Sequence, residues 1–464
     1  MSILPSKNIK YDIEVPIVII GGGACGICAA ISAKENGVES IIIERDATPS
    51  GSTALSTCLI PGANSKLQKE AKINDSAEIF AEDIIKKAKG RNDINIVKFI
   101  AEESGKNIDW LVNKIKIELS LVKGFYYPGH SKYRMHGSPN RTGTELMDSL
   151  NSAISREKIT IITSAHAINL YADSYGKVHG VKIIRPNGQI EKIGCKGLIL
   201  ACNGYGGNPT MVKKYIPEIM EALYYGHTGN KGDAVNWGRE LGAKIDDMGG
   251  YQGHGAVTHP HGTLLFWGLL TTGGFQININ GDRFSNEVRG YSEQAVDVVS
   301  QPENVAWEIW SSEGHELGIK FQDYKNGIEI GAHKKGNSIL DISEITNIPV
   351  EKLENTISKI NNFIKNSEVD NFGRSWKEIN KIQPPYYFAK VTGALFHTQG
   401  GLVVNNQARV ISNKGNLMPN LFAGGGAARG ISGPSRWGYL SGNGLLTATV
   451  LGRSAGINCA NLLK

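Results

Sequence analysis

An α/β fold in two domains is predicted by three observations. The chain has 464 residues, more than one hydrophobic core usually holds. Residues 15–46, VPIVIIGGGACGICAAISAKENGVESIIIERD, read as strand, glycine turn, helix and second strand. Residues 177–208, KVHGVKIIRPNGQIEKIGCKGLILACNGYGGN, read as a β-meander that enters another buried strand and another glycine turn.

Each element of the first segment has a physical task. Val15–Ile20 is an unbroken apolar run rich in Val and Ile, the pattern of a parallel strand buried on both faces. Gly21, Gly23 and Gly26 form GxGxxG. Gly21 makes the tight turn, Gly23 lets a pyrophosphate approach the backbone, and Gly26 lets helix and strand pack closely. The N-terminus of the following helix favours negative charge. Ser40–Ile43 is the second strand and ends in Glu44, which can accept hydrogen bonds from ribose hydroxyls. In this order and spacing the motif predicts a dinucleotide site. No second GxGxxG follows, and the polar stretch ATPSGSTALSTCLIPGANS after Glu44 suits a longer cofactor, so FAD is favoured over NAD.

Composition removes other classes. The formal charge is +6 with Lys and Arg scattered among acids, not the basic stripe of a nucleic-acid binder. No apolar run reaches the roughly 20 residues of a membrane helix, and the N-terminus lacks the order of a signal peptide, so a cytoplasmic protein is expected. Gly 56 is about 12% of the chain against an average of roughly 7%, and these glycines cluster as ligand-side turns would. Cys25 and Cys28 form a CxxC; without a second CxxC or a nearby histidine they read as buried thiols, and no metal is expected. VEKLENTISKINNFIK, 351–366, reads as an amphipathic surface helix burying Leu353, Ile357, Ile360 and Phe363.

Taken with SGSTALST, LILACNGYGGN, GHTGNKGDAVNWGRELGAKIDDM, INGDRFSNE, FHTQGGLVVN, NLFAGGGAARG and YLSGNGLLTATVLGRSAG, the chain resembles the fumarate reductase and 3-ketosteroid dehydrogenase superfamily of FAD enzymes. The resemblance runs from about residue 14 to 457. It implies a Rossmann-type FAD-binding domain, 1–252 and 399–464, with an inserted α+β capping domain, 253–398. It also implies cofactor contacts from Gly21, Gly23, Ala24, Cys25, Gly26, Glu44, Arg45, Gly51, Ser52, Thr53, Ser56 and Thr57. Further contacts would come from Ala167, Ala201, Asn203, Gly204, Asn208, Asp233, Gly424, Ser441, Gly442, Gly444, Leu445 and Leu446. Relatives that attach FAD covalently use a histidine after the second strand; residues 47–58 contain none, so FAD should be non-covalent.

For catalysis the resemblance carries over residue by residue. His259 matches the cap histidine, with His254 and His261 competing, and His397 in FHTQGG matches the second histidine. Arg436 matches the carboxylate-binding arginine. The acid–base relay of fumarate reductases is missing from GTLLFWGLLTTGG (262–274), and the proton-donor arginine falls near Tyr291, with Arg289 two residues away. Gly425 stands where the family commonly has glutamate. Tyr439-Leu440-Ser441-Gly442 is similar to the Tyr-x-Ser-Gly of ketone-desaturating dehydrogenases, in which the tyrosine removes the α-proton. Arg436 and the helix N-terminus are expected to lower the Tyr439 pKa.

The resulting expectation is a dehydrogenase acting on CH–CH bonds. It would desaturate a small or medium carbonyl compound, cyclic or carboxylated, and pass electrons to an acceptor outside the chain such as a quinone, a protein or oxygen. The alternatives are an enoate reductase running the reverse reaction and a catalytically silent flavoprotein.

Overall fold

The computed structural model describes residues 2–464. The chain divides into two compact units. The first comprises 1–216, 226–251 and 397–464; the second, 217–225 and 252–396. Residues 217–225, expected with the cofactor domain, go with the second unit because Leu223–Tyr224 pairs in parallel with Ala394 and Leu395.

The first unit is built on a nine-stranded sheet. Its central strand is Ile190–Leu200. Along one edge Ile193–Leu200 pairs in parallel with Ile13–Ile20. The other edge is shared: Ile190–Gly194 pairs antiparallel with Val178–Ile184, and Leu198–Leu200 pairs in parallel with Leu421–Ala423. Beyond Ile13–Ile20 lie Ser40–Ile43 and Thr160–Ile162, both parallel. Strands from both ends of the chain therefore lie side by side in the middle of the sheet and finish at the same, carboxyl, end, which is where open parallel sheets place ligands.

Helix Ala24–Glu35 is buried almost all round. It is covered by Asn443–Leu462 at a backbone approach that only small residues permit: a Cβ on Gly452 would lie 2.4 Å from the Cys25 carbonyl oxygen. Cys25 and Cys28 sit in this contact, and all six cysteines are free. Burial drives every thiol pKa upward, to about 12 for Cys28, Cys195, Cys202 and Cys459.

One buried charged cluster supports the start of the C-terminal helix. Arg134 is fully buried and donates to both oxygens of Asp75, at 2.9 and 2.8 Å, and to Asp83. It also faces His130 Nδ1 at 3.4 Å. A guanidinium only donates, so Nδ1 accepts and the His130 proton lies on Nε2. That N–H donates to the Ser441 carbonyl at 3.0 Å.

The second unit has a sheet whose spine is Tyr386–Thr398, the strand that also leads into the first unit. Val305–Trp310 runs antiparallel to it, and Phe275–Ile277 runs antiparallel to Val305–Trp310. Helix Val350–Asn366 buries Leu353, Ile357 and Ile360 against Phe275, Ile309 and Phe388, with Phe363 partly covered, as its spacing predicts. Arg283 and Arg374 of this unit are consumed by Glu287 and Asp370.

Burial also sets how stability should vary with pH. It pushes His130 and His254 down to about 3, and His136, His333 and His397 down to about 4. The unfolded chain takes up these protons near pH 6.5, where the folded protein refuses them. The stability they confer is complete above pH 6.5 and is lost as pH falls towards 4. Glu308, raised to about 8, and Asp247 and Asp323, raised to about 6, act in the opposite sense but are fewer. The urea midpoint should therefore fall from pH 7 to pH 5; a flat or rising profile would contradict this balance.

Candidate active site

The first unit contains a cleft enclosing about 830 Å³ of empty space, its open mouth included. Its floor is the glycine turn. Gly21 has φ +110° and donates to the Ile43 carbonyl at 2.9 Å. A Cβ on Gly26 would lie 1.9 Å from the Gly21 carbonyl oxygen, so only glycine lets the helix start this close to the turn. Glu44 is buried; its carboxylate accepts from the Gly22 amide at 2.7 Å and the Asp46 amide at 2.9 Å. Two of its roughly four lone-pair positions remain for a ligand. Thr53 Oγ1 accepts from the Ala24 amide at 3.1 Å.

Gly21, Gly23, Ala24, Cys25, Glu44, Arg45, Gly51, Ser52, Thr53, Ala167, Ala201, Asn203 and Asp233 all line this cleft. Other expected contacts have structural tasks. Gly26 packs beneath the turn, and Asn208 caps Pro209–Tyr215 by accepting from the Met211 amide at 3.2 Å. Ser56 closes its own turn on the Thr53 carbonyl, Gly204 packs on Thr398, and Gly424 packs on Cys25. Leu446 belongs to the core, and Thr57 is half-buried and does not line the cleft.

His227 and Asn230 line the cleft as well; they lie in the GHTGN stretch, where nothing local ranks them as cofactor contacts. His227 lies 2.7 Å from Asp46 and 3.2 Å from Arg45 and receives the Gly229 amide, while Arg45 holds the Gly229 carbonyl at 3.0 Å. Ser52 Oγ accepts from both the His227 amide and the Asn230 side chain. This mesh ties the loop after the second strand to residues almost two hundred positions later.

The second constellation of this unit surrounds the start of Asn443–Leu462. His397 and Tyr439 meet edge to face with ring centroids 5.6 Å apart. A Cβ on Gly444 would lie 2.5 Å from His397 Nε2, so this glycine leaves the imidazole its place. Gln399 Nε2 approaches His397 Nδ1 at 3.1 Å, and the Thr398 carbonyl is farther at 3.3 Å. An amide NH₂ only donates, which leaves the His397 proton on Nε2. The Gln399 carbonyl oxygen accepts from Ser432 Oγ at 2.7 Å, fixing the amide orientation.

Tyr439 is 5% exposed. The lowered pKa expected for it does not occur: burial drives the value well above that of free tyrosine, and the Gly444 and Gly442 backbone amides offset only part of this. Arg436 exerts no such pull. It sits half-buried in the short turn Arg436–Gly438 and makes no hydrogen bond or ion pair among the described residues. Ser441, Gly442, Gly444 and Leu445 form the loop and first turn at this helix start. Asn443 is fully buried there, and neither atom of its side-chain amide has a partner among the described residues.

In the second unit His259 is exposed, whereas His254 is buried and stacks on Tyr291 at 5.3 Å. The buried histidine of this unit is thus His254 rather than His259. Tyr291, at the position that the resemblance gives to a proton-donor arginine, opens the helix Tyr291–Val299. Arg289 instead pairs with Asp297 at 2.6 Å and is largely solvent-facing.

The sequence matches the model of the FAD binding domain over residues 16–445. This chain belongs to that family. FAD is its cofactor, and it is an FAD-dependent oxidoreductase acting on carbon–carbon bonds. The chain is 26% identical to the probable fumarate reductase Ifc3 of Shewanella frigidimarina (strain NCIMB 400), covering 96% of this chain and 74% of that protein. It is 28% identical to the urocanate reductase of Eggerthella lenta, covering 97% and 75%. Among solved structures it is similar to the open conformation of a flavocytochrome c3 fumarate reductase, with TM-score 0.83, 25% identity and coverage of 98% and 79%. The 3-ketosteroid-Δ4-(5α)-dehydrogenase of Rhodococcus jostii RHA1 shares the fold, with TM-score 0.76, 20% identity and coverage of 98% and 98%. Among the described residues no helix is long and apolar enough to cross a membrane.

Two features of the structure fit FAD. The cleft combines a glycine turn with the buried acid Glu44, and the unpartnered Asn443 amide offers both a donor and an acceptor at a helix N-terminus.

Proposed function

We propose that this chain reduces a carbon–carbon double bond conjugated to a carbonyl or carboxylate, with Tyr439 as proton donor. The carrying observation is the setting of the Tyr439 hydroxyl. Burial keeps its proton on at neutral pH, and the Gly442 and Gly444 backbone amides offset only part of that. A tyrosine so held is better suited to giving a proton than to removing one.

In this reading FAD is held without a covalent bond by the turn at Gly21 and Gly23, by Glu44 at the ribose, and by the Asn443 amide. When bound, it supplies hydride exchange at N5 with the β-carbon of the substrate. His397, neutral with its proton on Nε2, donates to the carbonyl oxygen without adding charge. Arg436, unpaired, holds that carbonyl or carboxylate. Tyr439 Oη delivers the proton to the α-carbon, so one hydride and one proton together saturate the bond. The electrons come from a donor outside this chain. Two of the proteins named above are a probable fumarate reductase and a urocanate reductase, which supports this direction.

Desaturation of a ketone is the same chemistry reversed, and Tyr439-Leu440-Ser441-Gly442 ahead of the final helix favours it. The direction is tested without oxygen. The photoreduced protein should regain its yellow colour on adding enoates or enones, and the oxidised protein should keep its colour with saturated ketones and acids. Bleaching by the saturated compounds alone would establish the desaturase in its place.

A further inference from the structure

At one end of the cleft in the first unit, the loop after the second strand is clasped to the stretch 227–230. His227 Nδ1 is approached by Arg45 Nη2 at 3.2 Å and by the Gly229 amide at 3.1 Å. Both groups only donate, so Nδ1 accepts and the His227 proton lies on Nε2. That N–H meets the Asp46 carboxylate at 2.7 Å. One imidazole thus holds the two residues that follow Glu44, one through each ring nitrogen.

The neighbouring positions are shaped to this contact. A Cβ on Gly229 would lie 1.2 Å from Arg45 Nη2, so glycine leaves the guanidinium its place. Arg45 Nη1 also donates to the Gly229 carbonyl at 3.0 Å. Ser52 Oγ accepts from the His227 amide at 3.1 Å and from Asn230 Nδ2 at 2.9 Å. A hydroxyl that accepts twice still has its own proton to give. The Ser52 proton has no acceptor among the described residues, and Ser52 lines the cleft with His227, Gly229 and Asn230.

The place of the clasp says which part of the cofactor it serves. In a strand–turn–helix–strand unit the glycine turn takes the pyrophosphate, and the acid ending the second strand takes the ribose. That acid is Glu44, and it accepts from the Asp46 amide at 2.9 Å. The clasp is therefore bonded to the ADP end of the site. His227 and Asp46 keep side-chain exposures of 23% and 33%, and one such pair alone contributes little. Here the His227 side chain joins three partners at once, Arg45, Asp46 and Gly229, so its bonds are lost together.

We propose that His227 is a positioning residue for the cofactor: it locks 45–52 to 227–230 at the ADP half of FAD and makes FAD release slow. The proposal rests on FAD as the cofactor and is independent of the direction of catalysis.

FAD release from the loaded full chain is followed by the rise in free-flavin fluorescence after dilution, and ADP binding to the flavin-free chain by calorimetry. His227→Ala should speed release about tenfold and weaken ADP about tenfold, the scale of a few net hydrogen bonds. Bound FAD should keep its visible spectrum and midpoint potential. His227→Gln, which retains a donor and an acceptor, should restore most of the hold. Gly229→Ala keeps His227 but displaces the Arg45 guanidinium, so it should speed release as well. Release at the parent rate in either alanine variant overturns the proposal, as does no recovery in His227→Gln. Faster release with unchanged ADP affinity, or a parent chain that does not bind ADP, also overturns it, because the lost hold then lies elsewhere on the cofactor. If His227→Ala does not fold, Gly229→Ala decides by the same outcomes.

Discussion

Tyr439→Phe should slow substrate-driven reoxidation of the reduced enzyme by about 10²–10⁴-fold, the usual worth of a positioned general acid. The substitution removes one oxygen and keeps the ring edge against His397. FAD content and its visible spectrum should therefore match the parent protein, which separates lost chemistry from lost cofactor. The Gly442 and Gly444 amides lose an acceptor, so a small drop in melting temperature is expected as well. The parent reaction should slow in D₂O, and the residual reaction of the variant should have lost that sensitivity. An unchanged rate would take Tyr439 out of proton transfer.

Arg134→Met should cost about 3–5 kcal/mol of folding stability, because it leaves Asp75 and part of Asp83 buried without a counter-charge. Urea unfolding followed by fluorescence reads this directly. Replacing Arg134, Asp75 and Asp83 together with apolar residues should recover much of the loss, since no orphan charge then remains. A second effect follows from the hydrogen-bond order. Without the guanidinium at Nδ1, His130 is free to change tautomer and release the Ser441 carbonyl, two residues after Tyr439. The triple variant should thus regain stability more completely than turnover. Equal recovery of both would show that His130 does not position this loop.

What could be read from the amino acids follows the range of the interactions. Gly21, Gly26 and Glu44 are legible because a local geometry, strand to turn to helix to strand, dictates their types and spacing. The central sheet follows from its Val- and Ile-rich runs, and Val350–Asn366 from its period. Contacts between distant segments are harder. His227 holds Asp46 and Arg45 across more than 180 residues, and the GHTGN stretch that carries it does not show which residues it meets. His259 and His254 are equivalent candidates until Trp267, Tyr291 and Phe396 close around one of them. Arg436 is three positions from Tyr439, yet the turn between them leaves the phenol governed by burial and two glycine amides. Nearness in sequence therefore does not translate into a lowered pKa: burial outweighs the two amides, and Arg436 is not among the groups that act on the phenol.

The buried thiols bear on how the enzyme meets air. Reduced flavins that encounter oxygen give hydrogen peroxide, and peroxide attacks thiolates far faster than thiols. With Cys28, Cys195, Cys202 and Cys459 raised to about 12 and Cys25 and Cys58 raised as well, scarcely any thiolate exists at neutral pH. A futile turnover with oxygen would thus release an oxidant that finds little in this chain's thiols to react with. The packing that lets two helices touch through small side chains also gives the molecule chemical endurance.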